Sequence, residues 1–246
     1  MLKDHSNTRQ EDVLSIIVRH YVETAEPVGS RYVAKSLGLS SATIRNVMAD
    51  LEESGFITHP HTSAGRVPTD RGYRYYIDSL MRIRNVNPET VKSIKNEYHQ
   101  AMQSLEDVLE RATHLISSIT NYVGINMFSE YHKLYMDGAS HIIEQPEFRD
   151  LKKLTTLLRS LEEKRGIVDL LSGDSEDGRL AIHIGKENKL NYLSECSIVT
   201  RGYKKKGKVK GRVGVIGPKR MVYERVIPAV EYLAETVTGI LDELET

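Results

Sequence analysis

The stretch SRYVAKSLGLSSATIRNVMADLEESGFITHPHTSAGRVPTDRGYRYY, residues 30–76, holds two short helical patterns, a glycine between them and a punctuated basic loop. In the first pattern Tyr32, Val33 and Leu37 are the periodic apolar positions, and Gly38 ends it where a sharp turn needs a permissive backbone. Ser40 or Ser41 can then cap a second helix, in which Ile44, Met48 and Leu51 recur at helical spacing and define a buried stripe. The opposite face carries Ser41, Thr43, Arg45 and Asn46 in its first two turns, where a recognition helix presents side chains to the major groove. Arg pairs bidentately with guanine and Asn with adenine, while hydroxyls and the helix N-terminus suit phosphate oxygens.

Beyond Gly55, Phe56-Ile57-Thr58 reads as a short strand, and Pro60 and Gly65 punctuate a loop before Val67 resumes extended structure. This is the pattern of a β-hairpin wing whose His61, Thr62, Ser63 and Arg66 would lie on a phosphate backbone. Upstream, Val13, Ile16, Ile17, Tyr21 and Val22 mark an amphipathic first helix completing a three-helix core. Isolated Arg or Asn residues on a helix face are usually solvated surface; the ordered series of helix, turn, helix and wing makes them candidate DNA contacts, with Ser40, Ser41 and Thr43 beside them.

SSATIRNVMADLEESGFI at 40–57 and PHTSAGRVPTDRGYRYYIDSLM at 60–81 resemble the DNA-binding domain of the heat-inducible transcription repressor HrcA family. PEFRDLKKLTTLL at 146–158, IGKEN at 184–188 and GVIGPKRMVYERVIPAVEYLAE at 214–235 are similar to the C-terminal part of the same family. The resemblance implies an N-terminal winged helix-turn-helix and a GAF-like α+β domain. It also implies a negative regulator of heat-shock chaperone operons that binds double-stranded, inverted-repeat operator DNA and is tuned by the chaperonin. Between Tyr122 and Lys133 the chain is much shorter than the family pattern, which implies loss of a dimerising insert and a reduced C-terminal domain.

The organisation expected from the sequence is a winged helix-turn-helix at 1–84, a linker and one long helix at 85–123, and a truncated GAF-like α+β domain at 124–246. In the linker region Val91, Ile94, Tyr98, Met102, Leu105, Leu109, Leu115 or Ile116 and Ile119 form a seam at three- and four-residue intervals. That seam suits either self-association or packing onto the C-terminal domain. After it the pattern gives a helix at 146–171, strands near 180–184 and 193–200, a hairpin to Ile216 and a closing helix from Val222.

A chain of 246 residues with 39% hydrophobic and 28% charged residues can bury a real core. No apolar run approaches the ~20 residues that span a bilayer, and MLKDHSNTRQ contains no signal-like stretch, so the expected location is cytoplasmic. Cys196, without a second thiol, can form neither an internal disulfide nor a Cys-based zinc site, and no cofactor is expected. The formal net charge is zero, yet residues 30–84 carry eight Lys or Arg against five Asp or Glu, with Arg45, Arg66, Arg71 and Arg74 near the expected DNA surface. So small an excess implies weak non-specific binding, and hence a homodimer on two half-sites about 34–36 Å apart.

Three other signals are weaker. Gly202, Gly207 and Lys208 match the opening of a phosphate-binding loop, but Val209 cannot ligate magnesium and the chain continues as a strand, which argues against nucleotide hydrolysis. The surrounding run 201–212 has seven cations and no acid; a solvated hairpin tip is its simpler reading, a second nucleic-acid or partner patch the other. His59 and His61 lack a third metal ligand nearby, and no catalytic grouping stands out. Glu187, Asn188, Gly217 and Pro218 read as turn and packing positions. The competing function class is a ligand-sensing or enzymatic C-terminal domain that uses the winged helix only for DNA localisation.

Overall fold

Gly38 lies at φ 66°, ψ 29°, and its N–H closes the preceding helix on the Ala34 carbonyl, so the chain reverses where a side chain would oppose it. In the computed structural model, which describes residues 2–61, 64–83, 85–98, 104–174 and 177–244, this turn lies in the first of two compact units, Met1–Arg82 and Ile83–Thr246.

The first unit opens with α1 (Leu2–Thr24), which buries Val13, Leu14, Ile17, Val18 and Val22. Ile16 and Tyr21, expected in that stripe, are only half-buried. Helix α2 (Ser30–Leu37) buries Val33 and Ala34; Tyr32, read as a core position, is 47% exposed and packs its ring 4.2 Å from that of His20. Helix α3 (Ser41–Glu53) buries Ile44, Val47, Met48 and Leu51, the expected stripe extended by one residue.

Strands β1 (Ile57–Thr58) and β2 (Val67–Pro68) pair antiparallel, with Ile57 opposite Pro68, and a further bridge joins Val28 to Arg66. That bridge brings backbones so close that a Cβ on Gly65 would stand 2.6 Å from the Val28 carbonyl carbon, so glycine is required at the base of the wing. Helix α4 (Asp70–Tyr75) is capped by Thr69, whose hydroxyl accepts from the Gly72 N–H and donates to the Gly55 carbonyl. Tyr75 Oη donates to Glu11 at 2.8 Å and Arg19 Nε donates to Tyr76 Oη at 3.1 Å, fastening this end of the unit to α1.

In the second unit the single long helix expected over 88–123 is two helices, α5 (Pro88–Tyr98) and α6 (Leu105–Thr120). Ser104 starts α6 from an extended conformation (φ −145°, ψ 158°), accepting from the Asp107 N–H at 3.1 Å. Met102 and the side chain of Tyr98 lie outside what is described. Of the remaining seam positions Ile94, Leu109, Leu115 and Ile116 are buried within the unit, joined by Val108 and Ala112, while Val91, Leu105 and Ile119 are half-buried.

The five-stranded sheet has the order β4-β3-β7-β6-β5, antiparallel throughout, built from β3 (Val123–Phe128), β4 (Lys133–Asp137), β5 (Ala181–Ile184), β6 (Cys196–Lys205) and β7 (Lys208–Pro218). Alternation divides its faces. Val123, Ile125, Met127, Ile198 and Ile216 join a core with α7 (Ser140–Ile143), α8 (Leu151–Glu163) and α9 (Arg165–Ser172). Gly124 and Asn126 face the other way, where a Cβ on Gly124 would meet the Thr113 carbonyl of α6 and Asn126 donates to the Leu109 carbonyl. Helix α10 (Tyr223–Glu243) completes this second layer.

Where the chain is short against the family pattern, between Tyr122 and Lys133, it forms a continuous hairpin paired from Gly124–Asp137 to Phe128–Lys133. One expectation changes here. The helix expected over 146–171 is interrupted: Pro146–Phe148 is a 3₁₀ turn, and α8 and α9 are separated by Lys164 at φ 54°, ψ −31°.

Candidate nucleic-acid interface

The buried stripe of α3 fixes the direction of everything else on that helix. With Ile44, Val47, Met48 and Leu51 turned inward, Arg45 and Asn46 are exposed on the first two turns, and among the described residues neither side chain has a hydrogen-bond or ion-pair partner. A guanidinium and an amide left without internal partners can take up base edges without first breaking a contact.

Ser40 resolves the choice of cap. Its Oγ accepts from the Thr43 N–H at 3.1 Å and shares a 2.8 Å hydrogen bond with Thr43 Oγ1. Ser41 is the first helical residue, half-buried, and so belongs to the helix N-terminus rather than capping it. Ser40 and Thr43 therefore hold each other, and a phosphate arriving there would meet hydroxyls already placed beside the positive end of the helix dipole.

The wing is held from α3 by one acid. Glu52 pairs with Arg66 Nη2 at 2.8 Å and with His59 Nδ1, so both strands of the hairpin end on the same carboxylate. Burial pushes the Glu52 carboxyl upward, but the His59 hydrogen bond and the Arg66 charge outweigh it and hold its pKa below the usual value. Arg66, read as a phosphate contact, is thus half-buried and braced against Glu52 as a strut. Arg71 is likewise committed: it donates to the Ser54 carbonyl at 2.9 Å and lies 4.7 Å over the Phe56 ring. Arg74 reaches Asp78 at 3.5 Å. Of the four arginines expected near DNA, Arg45 alone is uncommitted among the described residues. His61 is exposed at the wing tip, its carbonyl accepting from the Ala64 N–H. Thr62 and Ser63 lie outside the described residues.

Two cations escaped the sequence reading. Arg31 and Lys35 are exposed on α2, four residues apart on one face, and have no ion-pair partner among the described residues. In a helix-turn-helix the first helix crosses the phosphate backbone, so the signal was their i, i+4 spacing on the helix preceding the glycine turn.

The C-terminal signals resolve differently. Asn188 is fully buried, its amide nitrogen 2.8–2.9 Å from the carbonyls of Gly185, Leu193 and Cys196, and Glu187 accepts from the Ile184 N–H. A Cβ on Gly217 would meet the Tyr122 ring at 2.7 Å. These are packing and turn roles. Lys206 (φ 50°) and Gly207 (φ 78°) close the β6–β7 hairpin and Lys208 opens β7, so no helix N-terminus follows to hold a phosphate. Burial pushes the Cys196 thiol up to about 12, leaving it protonated and unreactive at neutral pH. Among the described residues, no group of three His, Cys, Asp or Glu could hold a metal ion, and no helix is long and apolar enough to cross a membrane.

Residues 6–80 match the sequence model of the winged helix-turn-helix transcription repressor HrcA DNA-binding domain, and residues 82–227 that of the HrcA protein C-terminal domain. The chain is similar to the heat-inducible transcription repressor HrcA of Moorella thermoacetica (29% identity, covering 96% of this chain and 98% of the relative). A second relative of that name, from Geobacter sulfurreducens, is 31% identical, with 95% of this chain and 98% of the relative covered. The Moorella alignment runs over 338 positions against a chain of 246 residues, so a sizeable stretch of that relative has no counterpart here. A crystal structure described as a hypothetical protein superposes with a TM-score of 0.73 at 20% identity, covering 96% of this chain and 98% of the other, which establishes a shared fold.

Proposed function

Because the chain belongs to the HrcA family of heat-inducible transcription repressors, we propose that it silences chaperone operons by binding an inverted-repeat operator as a homodimer, with the chaperonin keeping it competent to bind. Each winged-helix unit inserts α3 into the major groove of one half-site. Arg45 and Asn46 read base edges there; Ser40, Ser41 and Thr43 take phosphate oxygens at the helix N-terminus; Arg31 and Lys35 follow the backbone from α2. His61, with Thr62 and Ser63, brings the wing to the adjacent phosphates, while Glu52 sets the angle of the wing through His59 and Arg66. The cytoplasm is where such a protein meets its operator.

The observation that carries this reading is the exposed, unpartnered pair Arg45 and Asn46 on a helix whose opposite face is fully buried. Dimerisation follows from the small number of uncommitted cations, since a single module offers too few phosphate contacts for useful occupancy. The test is a salt-titrated binding assay against a full inverted repeat, a single half-site and a scrambled duplex, with the mass of each complex measured. Preference for the full repeat at two chains per duplex is expected; equal, weak binding to all three would refute operator recognition. Chaperonin tuning is tested in chaperonin-depleted cells, where repression should fall, and undiminished repression would remove that part of the reading.

A further inference from the structure

Helix α8 carries apolar residues on two faces. Leu154, Leu157 and Leu161 turn into the core shared with the sheet, whereas Leu151 is 75% exposed and Leu158 only half-buried. At 3.6 residues per turn Leu151, Thr155, Leu158 and Glu162 fall within about 60° of one another around the axis, a seam on the outer face. Thr155 Oγ1 donates to the Leu151 carbonyl at 2.7 Å, so the hydroxyl in the middle of this seam is satisfied within its own helix and can be covered at little cost. The charges beside the seam are segregated. Lys152 and Lys153 stand at the start of the helix, Glu162 and Glu163 at its end, all four exposed and, among the described residues, without an ion-pair partner. Of the flanking charges, Asp150 caps the first turn and Lys164 donates to the Leu134 carbonyl.

Such an order is complementary to its own reverse. We propose that α8 is the contact through which two copies of this chain associate, the two helices packing antiparallel about a twofold axis; the inference rests on the homodimer reading above and supplies its interface. The two seams then run past each other in opposite directions. Leu158 of each copy meets its counterpart near the middle, and Lys152 of each is set across from Glu162 and Glu163 of the other. Arg159, on the same flank, is exposed and keeps its charged end in solvent. An isologous pair needs one surface that fits itself, and the sequence's other candidate, the seam of α5 and α6, is largely buried within its own unit. A contact confined to one helix of 13 residues covers less than the ~1,200 Å² of a standard interface. The pair is therefore weak in solution and is completed on DNA, where two half-sites hold both copies at high effective concentration.

The test sediments the full chain without DNA at about 1–200 µM and measures, beside it, the mass of its complex with an inverted-repeat duplex. A monomer–dimer equilibrium with a dissociation constant of about 10–100 µM is expected. Leu151→Glu alters a side chain that the fold leaves exposed, so the melting temperature should hold while association weakens about tenfold or more. Lys152→Glu and Glu163→Lys should each weaken association about threefold or more, and the two together in one chain should recover most of the loss, because the exchange repairs each contact. A double variant no better than either single one would overturn the inference, as would a natural chain that stays monomeric throughout the range. One natural chain per operator duplex would remove the homodimer reading and this interface with it. Two chains per duplex, with Leu151→Glu associating as the natural chain does, would leave the homodimer standing and overturn α8 as its contact.

Discussion

Arg45→Ala separates recognition from folding, because the side chain it removes supports nothing inside the protein. Arg45 is exposed and has no internal partner among the described residues, while its neighbours Ile44, Val47 and Met48 carry the packing of α3. Alanine has slightly higher helix propensity than arginine, so the melting temperature should stay level or rise slightly. At the operator the cost is different. A bidentate contact to guanine discriminates by about 1–3 kcal/mol, and a twofold dimer loses it at both half-sites, giving about 2–6 kcal/mol, or roughly thirtyfold to more than ten-thousandfold in affinity. Scrambled DNA loses at most one electrostatic contact per module, so the specificity ratio should collapse while much of the non-specific binding remains. Fluorescence anisotropy on operator and scrambled duplexes at three salt concentrations, beside a thermal melt, measures both quantities. Equal fold-losses on the two duplexes, or a melting temperature several degrees lower, would refute the assignment of Arg45 as a base-reading side chain.

The cap and the wing strut give two further expectations. Ser40→Ala removes the acceptor for the Thr43 N–H and the partner of its hydroxyl, and should lower stability in urea by about 1 kcal/mol. Glu52→Gln loses the charge that holds His59 and Arg66; both carboxylate and guanidinium keep about a quarter of their side-chain surface in solvent, so the cost at neutral pH is about 1 kcal/mol. The Glu52 carboxyl has a lower pKa folded than its reference value of 4.5, so its stabilising effect is complete above that value and is lost as pH falls through the folded one. Melting temperatures of the natural protein and the Gln variant should therefore converge on acidification; a constant gap from pH 7 down to pH 3 would show that the ion pair carries no stability.

What could be read from the sequence was what depends on neighbours in the chain. Gly38, the stripe of α3 and the order of helix, turn, helix and wing were legible because each rests on spacings of a few residues. The Glu52–Arg66 strut was not, since it joins residues fourteen apart across a hairpin whose register sequence does not print. The break at Ser104 hid behind apolar residues that kept helical spacing across it, although Ser104 with Asp107 three residues later is itself a cap signal. At Lys164 there was no signal: a lysine at φ 54° is imposed by the packing of Leu157, Leu161, Ile167 and Leu171 into one core.

The zero net charge then becomes a quantitative statement about DNA. Most arginines near the expected surface are consumed internally: Arg66 by Glu52, Arg71 by Ser54 and Phe56, Arg74 by Asp78. Among the described residues, three uncommitted cations remain on the helix-turn-helix, Arg31, Lys35 and Arg45, and the proposed reading directs Arg45 to bases. A dimer that places Arg31 and Lys35 of each module on phosphates displaces about four counterions, so log K against log salt should have a slope of about −4, shallow for an operator-binding protein. Arg31→Ala and Lys35→Ala should each make that slope shallower by about two units, one per module, and weaken operator and scrambled DNA alike. Arg66→Ala should instead leave the slope nearly unchanged and act through the wing, because its charge is already neutralised by Glu52. A slope near −10, or a loss of about two units on replacing Arg66, would place the phosphate contacts elsewhere and return the wing arginine to the DNA.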